Sequence, residues 1–380
     1  MALVVVNADD VGLSRGFNRG ILIAATNGIL TSTSIRVNGA AYREAVEESV
    51  PQIDRLGIGL HLNIVEGHTL RPTHQSVLCD NEGQFSLGIA GLLKRRNDPA
   101  VLMEVEAEYR NQIEIALNDV RRLDHLNSHQ YTHCIPQLFE IVVKLAAEYK
   151  IPFVRLQAEP FYVASDIWRH LRPWYAANIL KHVLVTAFAR RNRKYAAQSG
   201  IRTNDRLIGV LYTGHMCRET IVEGLRRGSR GAALVELLLH PACILGARDE
   251  RFLNAQVRNY VIDPARTAEL SALTSLELRS YLFEAGYVLT NYAAMAEGRT
   301  ERYAPELINA AGLFQANPAP SYGRLKTYFI LDETPFHQPR HFSRLEECQD
   351  IECCGVAIVK PPHGGVLQEY MLKHWRWVGL

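Results

Sequence analysis

Four stretches of this 380-residue sequence end an apolar run in carboxylates or imidazoles. The first is Asn7-Ala8-Asp9-Asp10, which follows the apolar residues 2–6. Two adjacent carboxylates behind a buried run cost desolvation unless something cationic compensates, and a metal ion is the simplest compensator. An Asp cap and turn ahead of a helix beginning at Ser14 would explain the same pair without chemistry. The second stretch runs from Gly57 to Ile64. Alternation puts Ile58, Leu60, Leu62 and Ile64 on one face and Gly57, Gly59, His61 and Asn63 on the other. Glycines beneath a histidine leave room for a ligand or a close backbone. The third carries His125, Asn127, His129, Tyr131 and His133 on one parity, so an extended backbone gives them a shared face. Such a histidine cluster suits metal or proton chemistry, with a histidine-rich surface loop as the plainer account. The fourth, Leu234 to Pro241, aligns Glu236, Leu238 and His240. A glutamate among leucines needs a partner, Arg or His, and His240 stands at the end of the run where a general acid could sit.

These residues need elements that hold them at one end. Strand candidates fall at 2–6, 31–37, 56–64, 123–127, 152–156, 207–212, 233–239 and 287–292, with helical patterns between them. A helix is expected from Ser14 to about Ala25, a second with Leu102, Val105, Tyr109, Ile113, Ala116 and Val120 on one face, and a third after Pro136. This βα alternation predicts a parallel α/β fold of seven or eight units, closed or nearly closed into a barrel, in which chemistry sits at the C-terminal ends of the strands. The rhythm stops near residue 298, so residues 1–298 are expected to form the barrel and 299–380 a C-terminal extension of mixed structure.

Composition is that of a globular protein. Hydrophobic residues make up 47%, ample for a large core, and 42 basic against 40 acidic residues give no general pull toward nucleic acid. Seven cysteines, an odd and scattered set, do not read as a disulfide framework. The N-terminal apolar run is too short for a signal peptide or a membrane span and has no basic residues before it, so a cytoplasmic protein is expected.

Several pieces in order resemble the YdjC-like carbohydrate deacetylases, a family that includes chitooligosaccharide deacetylases and hopanoid-biosynthesis-associated members. They are Asn-Ala-Asp-Asp-Val-Gly (7–12), Thr-Ser-Thr-Ser (31–34) with Asn38, Gly-Leu-His-Leu-Asn (59–63) with Glu66-Gly67, and His-Leu-Asn-Ser-His-Gln (125–130). Val-Arg-Leu (154–156) with Glu159, Tyr-Thr-Gly (212–214), Val-Glu-Leu-Leu-Leu-His-Pro (235–241) and Arg266 to Leu273 continue the match. The resemblance implies a distorted TIM-like barrel related to the NodB-type polysaccharide deacetylases. It implies one divalent metal ion on Asp10, His61 and His129, with Asp9 as the base that activates water and His240 as general acid or oxyanion partner. The activity implied is removal of an N-acetyl group from an amino sugar, whether oligosaccharide, glycoside or glycolipid. Nitrogen ligands suit zinc, cobalt or nickel, and the family allows magnesium. Asn63, Tyr131, His133, Arg155, Glu236 and His125 are candidates for substrate contact, and Glu159 reads first as a structural pair. Tyr131 departs from the family, which commonly has a histidine there.

Two other functions fit less of the sequence. A metal-dependent phosphoesterase on a similar barrel would carry further metal ligands. A sugar-binding relative without catalysis is suggested by Tyr131 alone. Residues 167–195 combine aromatic, aliphatic and clustered basic residues. They read first as a barrel helix with a solvated basic end and second as a peripheral contact with an anionic membrane. Cys348, Cys353 and Cys354 with His337 and His341 have no trusted metal-ligand spacing and are expected to be free or buried thiols. A homodimer is compatible with the sequence.

Overall fold

Val4, Val5 and Val6 have no exposed surface at all, as expected of a strand covered on both faces. In the computed structural model they lie in β1 (Leu3–Val11), the centre of a parallel sheet. The structure describes residues 2–53, 55–71, 76–120, 122–245 and 255–299, together with three short strands further on. The sheet continues with β2 (Ser32–Ile35), β3 (Gly57–Leu62), β4 (His125–Ser128), β5 (Phe153–Val154), β6 (Arg206–Ile208), β7 (Leu234–Leu239) and β8 (Val288–Thr290). Each of the eight expected runs has become a strand.

The strand order is β5-β4-β3-β2-β1-β7-β6. One edge of β1 pairs with β7 from Leu3 to Ala8. The other is shared between β8, along Leu3–Val5, and β2, along Asn7–Val11. β5 and β6 end the row, and no ladder joins them. Phe153 bridges to Arg202 instead, and the side chain of Asn204 spans the gap. Its Oδ1 accepts from the Leu156 N–H at 2.7 Å and its Nδ2 donates to the Leu156 carbonyl at 2.9 Å. One amide therefore supplies both hydrogen bonds of a missing strand pair. The fold is the distorted α/β barrel expected, a parallel sheet curled into a half-barrel with helices around it.

The helices follow their sequence signals. Ser14 Oγ accepts from the Phe17 N–H at 3.3 Å and starts the helix Arg15–Asn27. Asp98 caps the helix Pro99–Asp119, which buries Val101, Val105, Tyr109, Ile113 and Ala116 at spacings of three and four. Inside the curl the side chains form layers. Val5, Phe153, Leu234 and Tyr292 make an apolar floor at the N-terminal side of β1. Polar residues sit above it, and Asp9 and Asp10 lie toward the C-terminal end, so the site has a packed base.

The chain divides into two units, Met1–Pro305 and Glu306–Leu380. In the second, Tyr328–Ile330 pairs antiparallel with Arg340–His341 and with Ile358–Val359. His337, Cys348, Cys353 and Cys354 lie outside the described residues. Cys79, Cys134 and Cys217 are free thiols. Among the described residues no helix is long and apolar enough to cross a membrane.

Candidate metal centre

Neighbouring residues on a strand point to opposite faces, so Asp9 and Asp10 should not meet. They do because Asp10 takes a left-handed backbone, φ 75°, where β1 slips register against β2 between Ala8 and Val11. That costs of order 1 kcal/mol for a non-glycine residue. It brings both carboxylates to the same end of the sheet as His61, near the end of β3, and His129, just beyond β4.

Asp10, His61 and His129 converge. His61 Nε2 lies 3.4 Å from His129 Nδ1 and 3.5 Å from Asp10 Oδ1, and His129 Nδ1 lies 3.7 Å from Asp10 Oδ1. The outer nitrogens of both rings are already committed. Asn127 Nδ2 donates to Asp9 at 3.0 Å, so its Oδ1 faces His61 Nδ1 as an acceptor at 2.7 Å. His129 Nε2 faces Glu66 Oε2 at 2.6 Å. Each ring therefore carries its proton on the outside and turns a lone pair inward. Asp10 Oδ1 is buried and has no hydrogen-bond partner, while Tyr260 donates to its other oxygen at 3.1 Å. Arg36 Nη1 stands 3.5 Å from Asp10 Oδ1, an ion pair without a hydrogen bond, and a further cation would satisfy the two inward-facing nitrogens together with that oxygen. Atoms bound about 2.1 Å from one ion at tetrahedral angles lie about 3.4 Å apart, which matches. The group fits a divalent metal.

The protonation states agree. Burial raises the Asp10 pKa, but His61, His129 and Arg36 outweigh it and bring it to about 2. Burial depresses His61 to about 4 against the pull of Asp9 and Asp10, so the ring is neutral and able to ligate at neutral pH. For Asp9, burial is opposed by the Arg155 guanidinium and by His61, and the net effect holds the carboxyl well below the usual range. Arg155 Nη1 and Nη2 donate to Asp9 Oδ2 and Oδ1 at 2.6 and 2.8 Å. Asn7, Ser34 and Asn127 also donate to Oδ1, which leaves Oδ2 the less crowded oxygen.

His240 follows β7 and is close enough to lower the pKa of both aspartates. Its backbone N–H donates to Glu269 Oε2 at 2.5 Å, and its Nδ1 lies 3.8 Å from that oxygen without a hydrogen bond. Arg266 stands over the Tyr260 ring and 3.7 Å from Glu269. Sequence reasoning missed Glu269 and Tyr260. An Arg–Glu pair at i, i+3 on the helix Pro264–Thr274 signalled the first, and nothing local signalled the second.

The six residues expected to touch substrate are all drawn into hydrogen bonds within the barrel. All are buried and bonded to protein. Arg155 donates its Nε to Glu236 Oε1 at 2.8 Å, and Glu236 Oε2 accepts from Tyr292 at 2.6 Å, so both belong to the layer beneath Asp9. His125 pairs with Asp124 at 2.6 Å. It fills the room left by Gly59, where a Cβ would meet the imidazole at 2.3 Å. Asn63 folds the turn that delivers Glu66. Its Oδ1 accepts from the Val65 and Glu66 N–H groups at 3.2 Å, and its Nδ2 donates to the Glu66 carbonyl at 2.6 Å.

The shared face expected for 125–133 ends at Ser128. Gln130 and Tyr131 adopt φ 50° and 59°, which turns the chain over. His133 is thereby carried onto Ser128 and the Arg155 carbonyl, and Tyr131 onto Thr213 at 3.1 Å. Tyr131 thus takes no part in the ligand group. Glu159 accepts three backbone N–H groups from Gly209, Val210 and Leu211, a structural anchor whose burial still pushes its pKa up to about 7.

Among the described residues one other group, Asp166, His170 and Cys217, gathers three ligand-type atoms within 4.8 Å. There Asp166 Oδ1 already takes His170 Nε2 at 3.2 Å, and burial pushes the Cys217 thiol up. Its donors and acceptors satisfy one another.

The family model described as YdjC-like protein matches residues 3–284. A carbohydrate deacetylase of Clostridium beijerinckii is 28% identical over 293 residues, covering 76% of this chain and 98% of that protein. A crystal structure described as a cellobiose-phosphate cleavage protein, from Enterococcus faecalis V583, superposes with a TM-score of 0.58 at 23% identity. It covers 77% of this chain and 98% of that one, and the likeness is one of fold.

Proposed function

The chain belongs to the YdjC-like family, and from that membership and the geometry of the strand ends we propose that it is a carbohydrate deacetylase using one divalent metal ion. The observation that carries the reading is the convergence of Asp10, His61 and His129, three buried residues whose ligand atoms lie within 4.8 Å of one another. A divalent ion held there supplies the charge that polarises an acetamide carbonyl and acidifies a water. Two imidazoles favour zinc, with cobalt or nickel next, over magnesium.

The chain's own groups divide the proton work. Asp9 stays ionised through Arg155 and accepts the proton of the attacking water on Oδ2. His240, with Glu269 behind it, donates a proton to the departing sugar nitrogen and stabilises the developing oxyanion. The amide C–N bond breaks, giving acetate and a free amino sugar. Arg155, Glu236, Asn127, Asn63 and Glu66 position these groups from behind. The competing phosphoesterase would need a further ligand set. Among the described residues the mouth holds one three-ligand group, and its nearby carboxylate, Glu66, is spent on His129.

The test is a screen of N-acetylated amino sugars, free and lipid-linked, with the full chain and added zinc, cobalt, nickel or magnesium. Acetate and new primary amine should appear in equal amounts. Phosphate released from a sugar phosphate, with no acetate from any N-acetyl sugar under any metal, would sink the reading.

A further inference from the structure

The helix Pro173–Ala187 is packed inside out. Its inward side carries Tyr175, Asn178, His182 and Val185. Three of these are polar and tied to the barrel: Tyr175 pairs with Tyr212 at 3.3 Å, Asn178 donates to the Thr213 carbonyl at 3.2 Å, and His182 bonds the Glu159 carbonyl at 3.0 Å. Its outward side is Ala176, Ala177, Leu180, Val183, Leu184 and Ala187, with no polar residue in the row. Leu180 is 71% exposed and Val183 59%. The segment leading into the helix adds Trp168 and Leu171, exposed by 68% and 66%. An ordinary surface helix has the opposite pattern, and an apolar face of this kind marks an interaction surface.

Charge selects the occupant. Between Pro160 and Ser199 there are seven basic residues and one acidic residue, Asp166, which is buried against His170. Arg169 and Arg172 lie exposed before the helix, and Arg190, Arg191 and Lys194 lie exposed beyond it, with Arg191 bonded to Glu140. Phe161 and Val163, also exposed, border a depression that Arg226, Arg227 and Arg230 line together with Glu223. A second copy docked on this face along the helix would set basic ends against basic ends, with no exposed carboxylate from residues 160–199 to meet them. An anionic bilayer meets both requirements: headgroups for the arginines and the acyl boundary for Leu180, Val183, Leu184 and Trp168.

We propose that this face docks on an anionic lipid surface and makes the protein a peripheral membrane protein. The proposal does not depend on the deacetylase reading. The experiment is sedimentation of the full chain with phosphatidylglycerol/phosphatidylcholine vesicles and with phosphatidylcholine alone, at low and high salt. Binding is expected with the anionic vesicles and falls with salt. Leu180→Asp with Leu184→Asp should weaken it by about tenfold or more. Arg169→Ala and Arg172→Ala should each weaken it about fivefold. These exposed positions leave folding intact, which the thermal melt checks. The proposal is overturned by no binding to anionic vesicles at low salt, by equal binding to neutral vesicles, or by unchanged binding of the Leu180/Leu184 variant. It is also overturned if that variant turns a dimer into a monomer in sedimentation velocity while vesicle binding is absent.

Discussion

Replacing Arg155 with methionine tests the electrostatic design beneath the metal centre. The Arg155 guanidinium donates twice to Asp9 and once to Glu236, all three side chains being buried. The trio carries a net charge of −1; with methionine it carries −2 in the same volume. Removing one partner of a buried ion pair costs about 3–5 kcal/mol, a large part of the about 5–15 kcal/mol that holds a domain together. Glu236→Gln, by contrast, keeps an oxygen for Tyr292 and leaves Arg155 on Asp9, and should cost about 1–2 kcal/mol. Because the two sites share a partner, the double variant should lose less than Arg155→Met alone. Urea unfolding of the three variants reads these values. In the same variant Asp9 keeps its burial, which raises its pKa, and loses the guanidinium that outweighs it. The acid limb of the acetate-release profile should therefore move to higher pH in Arg155→Met. A loss under about 1 kcal/mol together with an unmoved acid limb would refute the reasoning.

Three further outcomes follow from the same contacts. Glu66→Gln removes the charge that orients His129 and should weaken zinc binding about 10–100-fold in titration calorimetry; an unchanged Kd contradicts the role given to Glu66. His133 is buried and neutral in the fold, with burial taking its pKa from 6.5 to about 3. The unfolded chain therefore binds the extra proton first, and stability is present above pH 6.5 and lost as pH falls toward 3, by up to about 4–5 kcal/mol. His133→Asn should flatten that slope in urea unfolding between those limits, and a slope equal to the wild type's assigns it elsewhere. Gly59→Ala pushes a methyl into the His125 ring and should lower stability by about 1–3 kcal/mol, read as a lower Tm; an unshifted Tm means His125 has room to move.

Much of this arrangement is legible in the sequence because apolar runs and capping residues are local signals. The strands, the Ser14 cap and the polar strand ends at Asp9-Asp10, His61 and His240 all follow from such signals. Backbone sign is not local in this sense. Nothing in the sequence marks Asp10 as left-handed, yet without that turn the two aspartates would face opposite ways. Gln130 and Tyr131 likewise break the alternation that suggested a common face for His129, Tyr131 and His133. Buried polar residues mislead for another reason. Arg155, Glu236 and His125 look like reaching groups when read singly, and only distances show Arg155 held between Asp9 and Glu236 and His125 held by Asp124. The outward apolar row from Ala176 to Ala187 lies in a segment that reads first as a barrel helix with a solvated basic end, and only its exposure shows that the row faces outward.

The central claim is that one divalent ion sits on Asp10, His61 and His129. Chelator-stripped protein should take up one ion per chain, and acetate release should return in proportion to the ion bound. Asp10→Ala and His129→Ala should each abolish both uptake and turnover while the fold persists by circular dichroism. Stoichiometric uptake with full turnover in either variant would contradict the account.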